Sequence, residues 1–146
     1  MKKNKIRIIT IEGRNRDNGE LSPAGKSQMN SILNSQILSG LRSNHVVSWD
    51  GPRYKDAAKW LNLTINTDCS KFVIDYYQPQ AKNQIELFTN QFLVDLNNPL
   101  LIADPDFISP NMKSGTIIEI EVDEKPLQWP FTEYKILFAD GQLVKN

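Results

Sequence analysis

Apolar positions along this chain come in short runs that give way to helical stripes and then to runs again. Ile6, Ile8, Ile9 and Ile11 crowd together near the start and predict a short buried strand. Ser22-Pro23 predicts a helix start: serine can accept a hydrogen bond from a first-turn amide, and the fixed φ of proline suits the first helical position. Met29, Ile32, Leu33, Ile37 and Leu41 follow at helical spacing, with Gly40 near the end. His45 to Trp49 reads as a second strand, and Gly51-Pro52 opens a second helix running through Lys55 to Leu61.

Leu63 to Ile65 and Phe72 to Tyr77 are rich in β-formers. Ala81, Ile85, Phe88, Phe92 and Leu96 make the apolar stripe of a third helix, and Leu100 to Ala103 is a short apolar strand after Asn98-Pro99. Thr116 to Val122 and Tyr134 to Phe138 predict later strands, and Asp140-Gly141 before Leu143 predicts a hairpin turn. Strands alternating with helices over the first two-thirds imply an α/β fold. The expected architecture is three-layered, with a mostly parallel central sheet, helices on both faces and antiparallel strands near the C-terminus.

The 146 residues fit a single domain spanning 1–146 and can bury a real core. Seventeen basic and seventeen acidic residues cancel, so neither nucleic acid nor an acidic membrane is an expected partner. Trp49, Trp60 and Trp129 are not interleaved with a basic stripe, which argues against a stacking platform for single strands. The lone Cys69 cannot form an intramolecular disulfide and fits a reducing compartment. The run after Met1-Lys2-Lys3 is broken by Arg7 and Thr10 and is too short for a signal peptide or a membrane span. A cytoplasmic location is the expectation.

One histidine, His45, and one cysteine fall far below the ligand count of a zinc site. No Walker or Rossmann glycine loop is present. Glu12, Asp104 and Asp106 could gather around Mg²⁺ or Ca²⁺, but nothing in their spacing fixes them together, so no metal and no cofactor is expected. The segment Pro126 to Phe131 is apolar for a loop and is expected to cover the core.

Three segments carry a resemblance. The first strand ends in Ile11-Glu12-Gly13-Arg14-Asn15; Leu21-Ser22-Pro23-Ala24-Gly25 leads on to Gln28; and Ser48 is followed by Arg53 and by Ala57-Ala58. In this order the layout resembles the histidine phosphatase (phosphoglycerate mutase-like) superfamily, and within it the short phosphohistidine-phosphatase branch. The pattern of that family is an apolar strand ending in Arg-His-Gly, then Leu-Thr-x-x-Gly-x-x-Gln, then Ser-x-x-x-x-Arg-Ala. The likeness covers roughly residues 5 to 68, and less closely 100 to 122, where Leu100 to Ile108 resembles the late strand ending in Gly-His-x-Pro-Phe.

The resemblance implies a phosphate pocket at the strand ends, and it also implies that the chemistry is gone. Ile11 stands where a phosphate-binding arginine is expected, Glu12 in the nucleophilic histidine's place, and Asp104 in that of the second histidine. Gly13 matches, and Arg53 matches the second phosphate-binding arginine. An anionic Glu12 repels a phosphate dianion, by roughly 1 kcal/mol per charge pair at 4 Å in water and several times that near a protein surface. Glu12 is therefore read first as a carboxylate paired with Arg14, Arg16 or Arg53. Arg53 is read either as an anion-binding residue near a helix N-terminus or as a structural partner of Glu12.

The implied function is a catalytically inactive, phosphatase-like domain. It would bind a small anionic or phosphorylated ligand through Arg53, Gly13, Arg14 and Asn15, or else a protein partner. Two alternatives stay open. One is an enzyme with repurposed chemistry, using Glu12 and Asp104 as an acid–base pair. The other is a small oligomeric interaction module working through an edge strand or the Trp129 loop.

Overall fold

The computed structural model describes residues 4–11, 20–41, 43, 45–49, 51–68 and 81–144. Among the described residues seven strands form one sheet: β1 (Lys5–Thr10), β2 (Val46–Ser48), β3 (Thr67–Asp68), β4 (Leu100–Ala103), β5 (Ile117–Glu121), β6 (Lys135–Ala139) and β7 (Gln142–Leu143), in the order β3-β2-β4-β1-β5-β6-β7. The first four strands are mutually parallel, and β5, β6 and β7 extend the sheet in antiparallel pairing. The expected α/β architecture, parallel at its centre and antiparallel toward the C-terminus, is therefore found.

The connections explain the layers. From β1 the chain crosses β4 to reach β2 by way of α1 (Pro23–Ser35), then reaches β3 by way of α2 (Pro52–Trp60). It returns to β4 in the opposite direction by way of α3 (Ala81–Gln91). Right-handed crossovers running in opposite directions place α3 on the other face from α1 and α2. Both faces of the central strands are covered as a result. That is why β2 and β4 are buried at every position and show no alternation.

Local chemistry fixes the elements. Ser22 Oγ accepts from the Gly25 amide at 3.0 Å, capping α1 with Pro23 in its first turn. The stripe Met29 to Leu41 is not one continuous helix. Gln36 takes a left-handed conformation (φ 62°), and Ile37–Gly40 follows as a 3-10 turn; Leu33, within α1, is exposed. The α3 stripe also runs on into a 3-10 turn, at Leu93–Asp95, here without a left-handed residue at the junction.

Leu63 to Ile65 is irregular chain leading to β3, while Phe72 to Tyr77 and Cys69 lie outside the described residues. Asp140 and Gly141 both have positive φ, 52° and 79°, and make the expected tight turn between β6 and β7.

An aromatic cluster fills the core near the carboxyl ends of the parallel strands. Trp49 meets Phe88 at 5.1 Å and Phe107 at 5.6 Å, and Phe131 lies 5.9 Å from Phe107. The Pro126 to Phe131 segment is tied down over it. Asn90 exchanges two hydrogen bonds with the Leu127 backbone, Glu86 accepts from the Trp129 amide, and Trp129 Nε1 donates to the Phe107 carbonyl. Core cover is what this loop does. Among the described residues, no helix is long and apolar enough to cross a membrane.

Candidate functional site

The carboxyl ends of parallel strands are where ligands meet this kind of sheet. Three chain segments leave the sheet there side by side. The Ile11 amide donates to the Ala103 carbonyl at 3.2 Å, and the Trp49 amide donates to the Ile102 carbonyl at 2.9 Å. The ends of β1 and β2 thus flank the end of β4, whose next residue is Asp104. Thr10 locks the far side of β1: its buried hydroxyl donates to the Thr116 carbonyl at 2.9 Å and accepts from the Thr116 amide at 2.9 Å.

Gly51 turns the chain from β2 into α2. Its φ of 144° favours glycine, and a Cβ there would come within 3.2 Å of the Tyr54 ring. The tight turn puts Arg53 in the first turn of α2, buried to 7% exposure. Its Nη2 donates to Asp104 Oδ2 in an ion pair and also to the Tyr54 hydroxyl. Tyr54 in turn donates its hydroxyl hydrogen to the same Asp104 oxygen at 2.8 Å. The guanidinium also lies 4.7 Å from the Tyr54 ring centroid.

The electrostatics agree with this wiring. Burial, reinforced by the Asp104 charge and opposed by Arg53, pushes the Tyr54 phenol far above its ordinary value. Tyr54 is therefore a donor at any physiological pH and cannot serve as a base. Burial and then the Asp104 charge raise the Asp106 carboxyl above its usual range, with Arg53 opposing. Asp106 belongs to a 3-10 turn, Pro105–Phe107, which is all that follows β4 where the resemblance leads one to expect a helix.

Sequence reasoning picked out Arg53 and Asp104 separately, and the fold brings them into contact. It missed Tyr54, whose only signal was its place beside Arg53 in a helix's first turn. Glu12, Gly13, Arg14 and Asn15 lie outside the described residues. Among the described residues, no group of three or more histidine, cysteine, aspartate or glutamate side chains is arranged to hold a metal ion. The Arg53–Tyr54–Asp104 cluster supplies a neutralised cation, a protonated phenol and an ion-paired carboxylate, none of them poised as a nucleophile.

No protein-family model matches the chain, and no curated protein matches its sequence. Solved structures match it across nearly its whole length. Rv3214 from Mycobacterium tuberculosis superposes with a TM-score of 0.63 at 13% identity, covering 96% of this chain and 98% of that one. An Escherichia coli protein assigned as an alpha-ribazole-5'-P phosphatase gives 0.63 at 11%, covering 99% and 100%. The Agrobacterium tumefaciens protein assigned as the phosphohistidine phosphatase SixA gives 0.54 at 10%, covering 92% and 99%. The chain shares an open α/β, phosphoglycerate mutase-like fold with these structures; at such identities the likeness extends to the fold alone.

Proposed function

We propose that this chain is a single phosphatase-fold domain that does not transfer phosphoryl groups and works as a binding module. The observation that carries the reading is the ion pair between Arg53 and Asp104. Arg53 is the one expected phosphate contact among the described residues, and its guanidinium is already bonded to the carboxylate standing in the second histidine's place. A pocket built for phosphoryl transfer offers its arginine to the substrate and supplies an imidazole that can carry the phosphoryl group. This chain has its only histidine at position 45, before β2, and Glu12 in the expected nucleophile's place.

The ligand is an anionic or phosphorylated small molecule, or an acidic group on a protein partner, that meets the strand-end rim. Assigned phosphatases among the structural neighbours support a phosphate-related origin for that rim. Turnover of p-nitrophenyl phosphate and of a phosphohistidine peptide tests the reading. Release of phosphate at the rate of buffer alone is expected, and turnover that disappears in Glu12→Ala would overturn it.

A further inference from the structure

We propose that Asp104 is an internal plug: its carboxylate occupies the seat that Arg53 and Tyr54 would offer to an oxyanion, so the chain takes up a free phosphate only when that charge is removed or displaced. The inference deepens the reading above, since it assumes that this rim is the binding site.

The geometry supports it. An arginine fork receives carboxylates and phosphates through the same parallel N–H donors, so a carboxylate oxygen on a guanidinium is a close stand-in for a phosphate oxygen. Asp104 Oδ2 accepts from one guanidinium nitrogen, Arg53 Nη2, and from the Tyr54 hydroxyl, in a site where the arginine side chain is 8% exposed and the aspartate 18%. The N-cap of α2 is Gly51, which offers no side-chain acceptor to the helix's first amides. The seat thus combines a buried guanidinium and a phenol hydroxyl, both carried by the first turn of α2, and its occupant is part of the chain.

Two effects keep free inorganic phosphate out, so the ligand proposed above must displace Asp104 to reach Arg53. Asp104 is tethered, so a free ligand competes with an effective concentration on the order of millimolar or more. Asp106 lies in the field of both Asp104 and Arg53, so the described groups here number two carboxylates to one guanidinium. Each of these carboxylates repels an arriving phosphate dianion, and neutralising Asp104 removes the one that is bonded to Arg53.

The test compares thermal midpoints of the native chain, Asp104→Asn and Arg53→Met/Asp104→Asn in inorganic phosphate against chloride of equal ionic strength. Asparagine keeps an oxygen acceptor for Tyr54 and Arg53 but carries no charge. The native chain is expected to gain only the small, general stabilisation that phosphate gives folded proteins over chloride. Asp104→Asn should gain roughly 5–10 °C in phosphate at about a hundred times its dissociation constant. The double variant should lose that gain.

An equal phosphate response from the native chain and Asp104→Asn overturns the plug, as does a folded Asp104→Asn that ignores phosphate. Should Asp104→Asn not fold in chloride, Asp104→Ser joins it in refolding trials with and without phosphate. Phosphate-dependent recovery of either supports the plug, and failure of both in either salt overturns it. Turnover by the native chain would end the silent-phosphatase reading without touching this comparison, whereas a phosphate-blind Asp104→Asn would end the plug alone.

Discussion

Arg53 in the first turn of α2 and Asp104 just after β4 form an ion pair across 51 positions of sequence, and the Tyr54 hydroxyl sits 2.8 Å from the same carboxylate oxygen. The pair exists because β2 and β4 are neighbours in the sheet. Their parallel register, Val46 to Leu100 through Ser48 to Ile102, brings the two strands' following residues out at one rim. The contact therefore reports on the fold as much as on the site.

Arg53→Met should destabilise the chain by about 3 kcal/mol, the low end for a buried pair, because Asp104 keeps some access to water. Replacing both partners, in Arg53→Met/Asp104→Leu, should recover much of that loss, since no charge is then left unpaired. Urea unfolding of the two singles and the double decides the matter. Strictly additive losses would mean that the two residues do not act as a pair.

Asp106 gives the chain a pH signature. Its folded-state affinity for a proton is raised by burial and by Asp104, so the folded state holds that proton more tightly than the unfolded state does. The resulting stability is complete below the ordinary aspartate range and is lost as pH rises through the raised folded value. Asp106→Asn is neutral throughout. The variant should match the native chain in acid and become the more stable of the two toward neutrality, as read from urea midpoints across that span. A gap that widens in acid would contradict this.

Gly115 is set by backbone and by space together. Its φ is 76°, and a Cβ there would lie 2.9 Å from Gln28 Cδ. Gly115→Ala should cost on the order of 1–3 kcal/mol. Adding Gln28→Ala should relieve the steric share while leaving the conformational share. Thermal melts of the single and double variants separate the two.

Asn90 is the clamp of the Pro126 to Phe131 cover. Its side chain accepts from the Leu127 amide at 2.8 Å and donates to the Leu127 carbonyl at 2.9 Å. Asn90→Ala should lower stability by about 1–3 kcal/mol by leaving both backbone groups unmatched. It should also speed proteolytic cleavage near Lys125. Unchanged cleavage would show that Trp129 and Phe131 hold the segment without it.

Much of this fold was legible because local chemistry and tertiary need agree. Ser22-Pro23 caps α1 as its residue types require, and Asp140-Gly141 makes the turn its left-handed tolerance allows. The α1 stripe misled beyond Ser35, because apolar spacing continues smoothly through a left-handed break at Gln36 that leaves no mark on periodicity. The strand order was not legible either: nothing in the run Leu100 to Ala103 says that it slips between β1 and β2.

For the same reason the site appeared in halves. Arg53 and Asp104 could each be singled out by resemblance, yet their contact depends on sheet neighbours far apart in sequence. Tyr54 became visible as a member only through its hydrogen bonds.

Acid-quenched mixing of the native chain with a phosphohistidine peptide, read by intact-protein mass spectrometry, tests the central claim most directly. With the expected nucleophile's place held by Glu12 and Arg53 engaged by Asp104, the chain should gain no mass at any time point. A phosphoryl adduct that is labile to hydroxylamine and absent in Glu12→Gln would mean that the carboxylate does accept phosphorus, and would contradict the account.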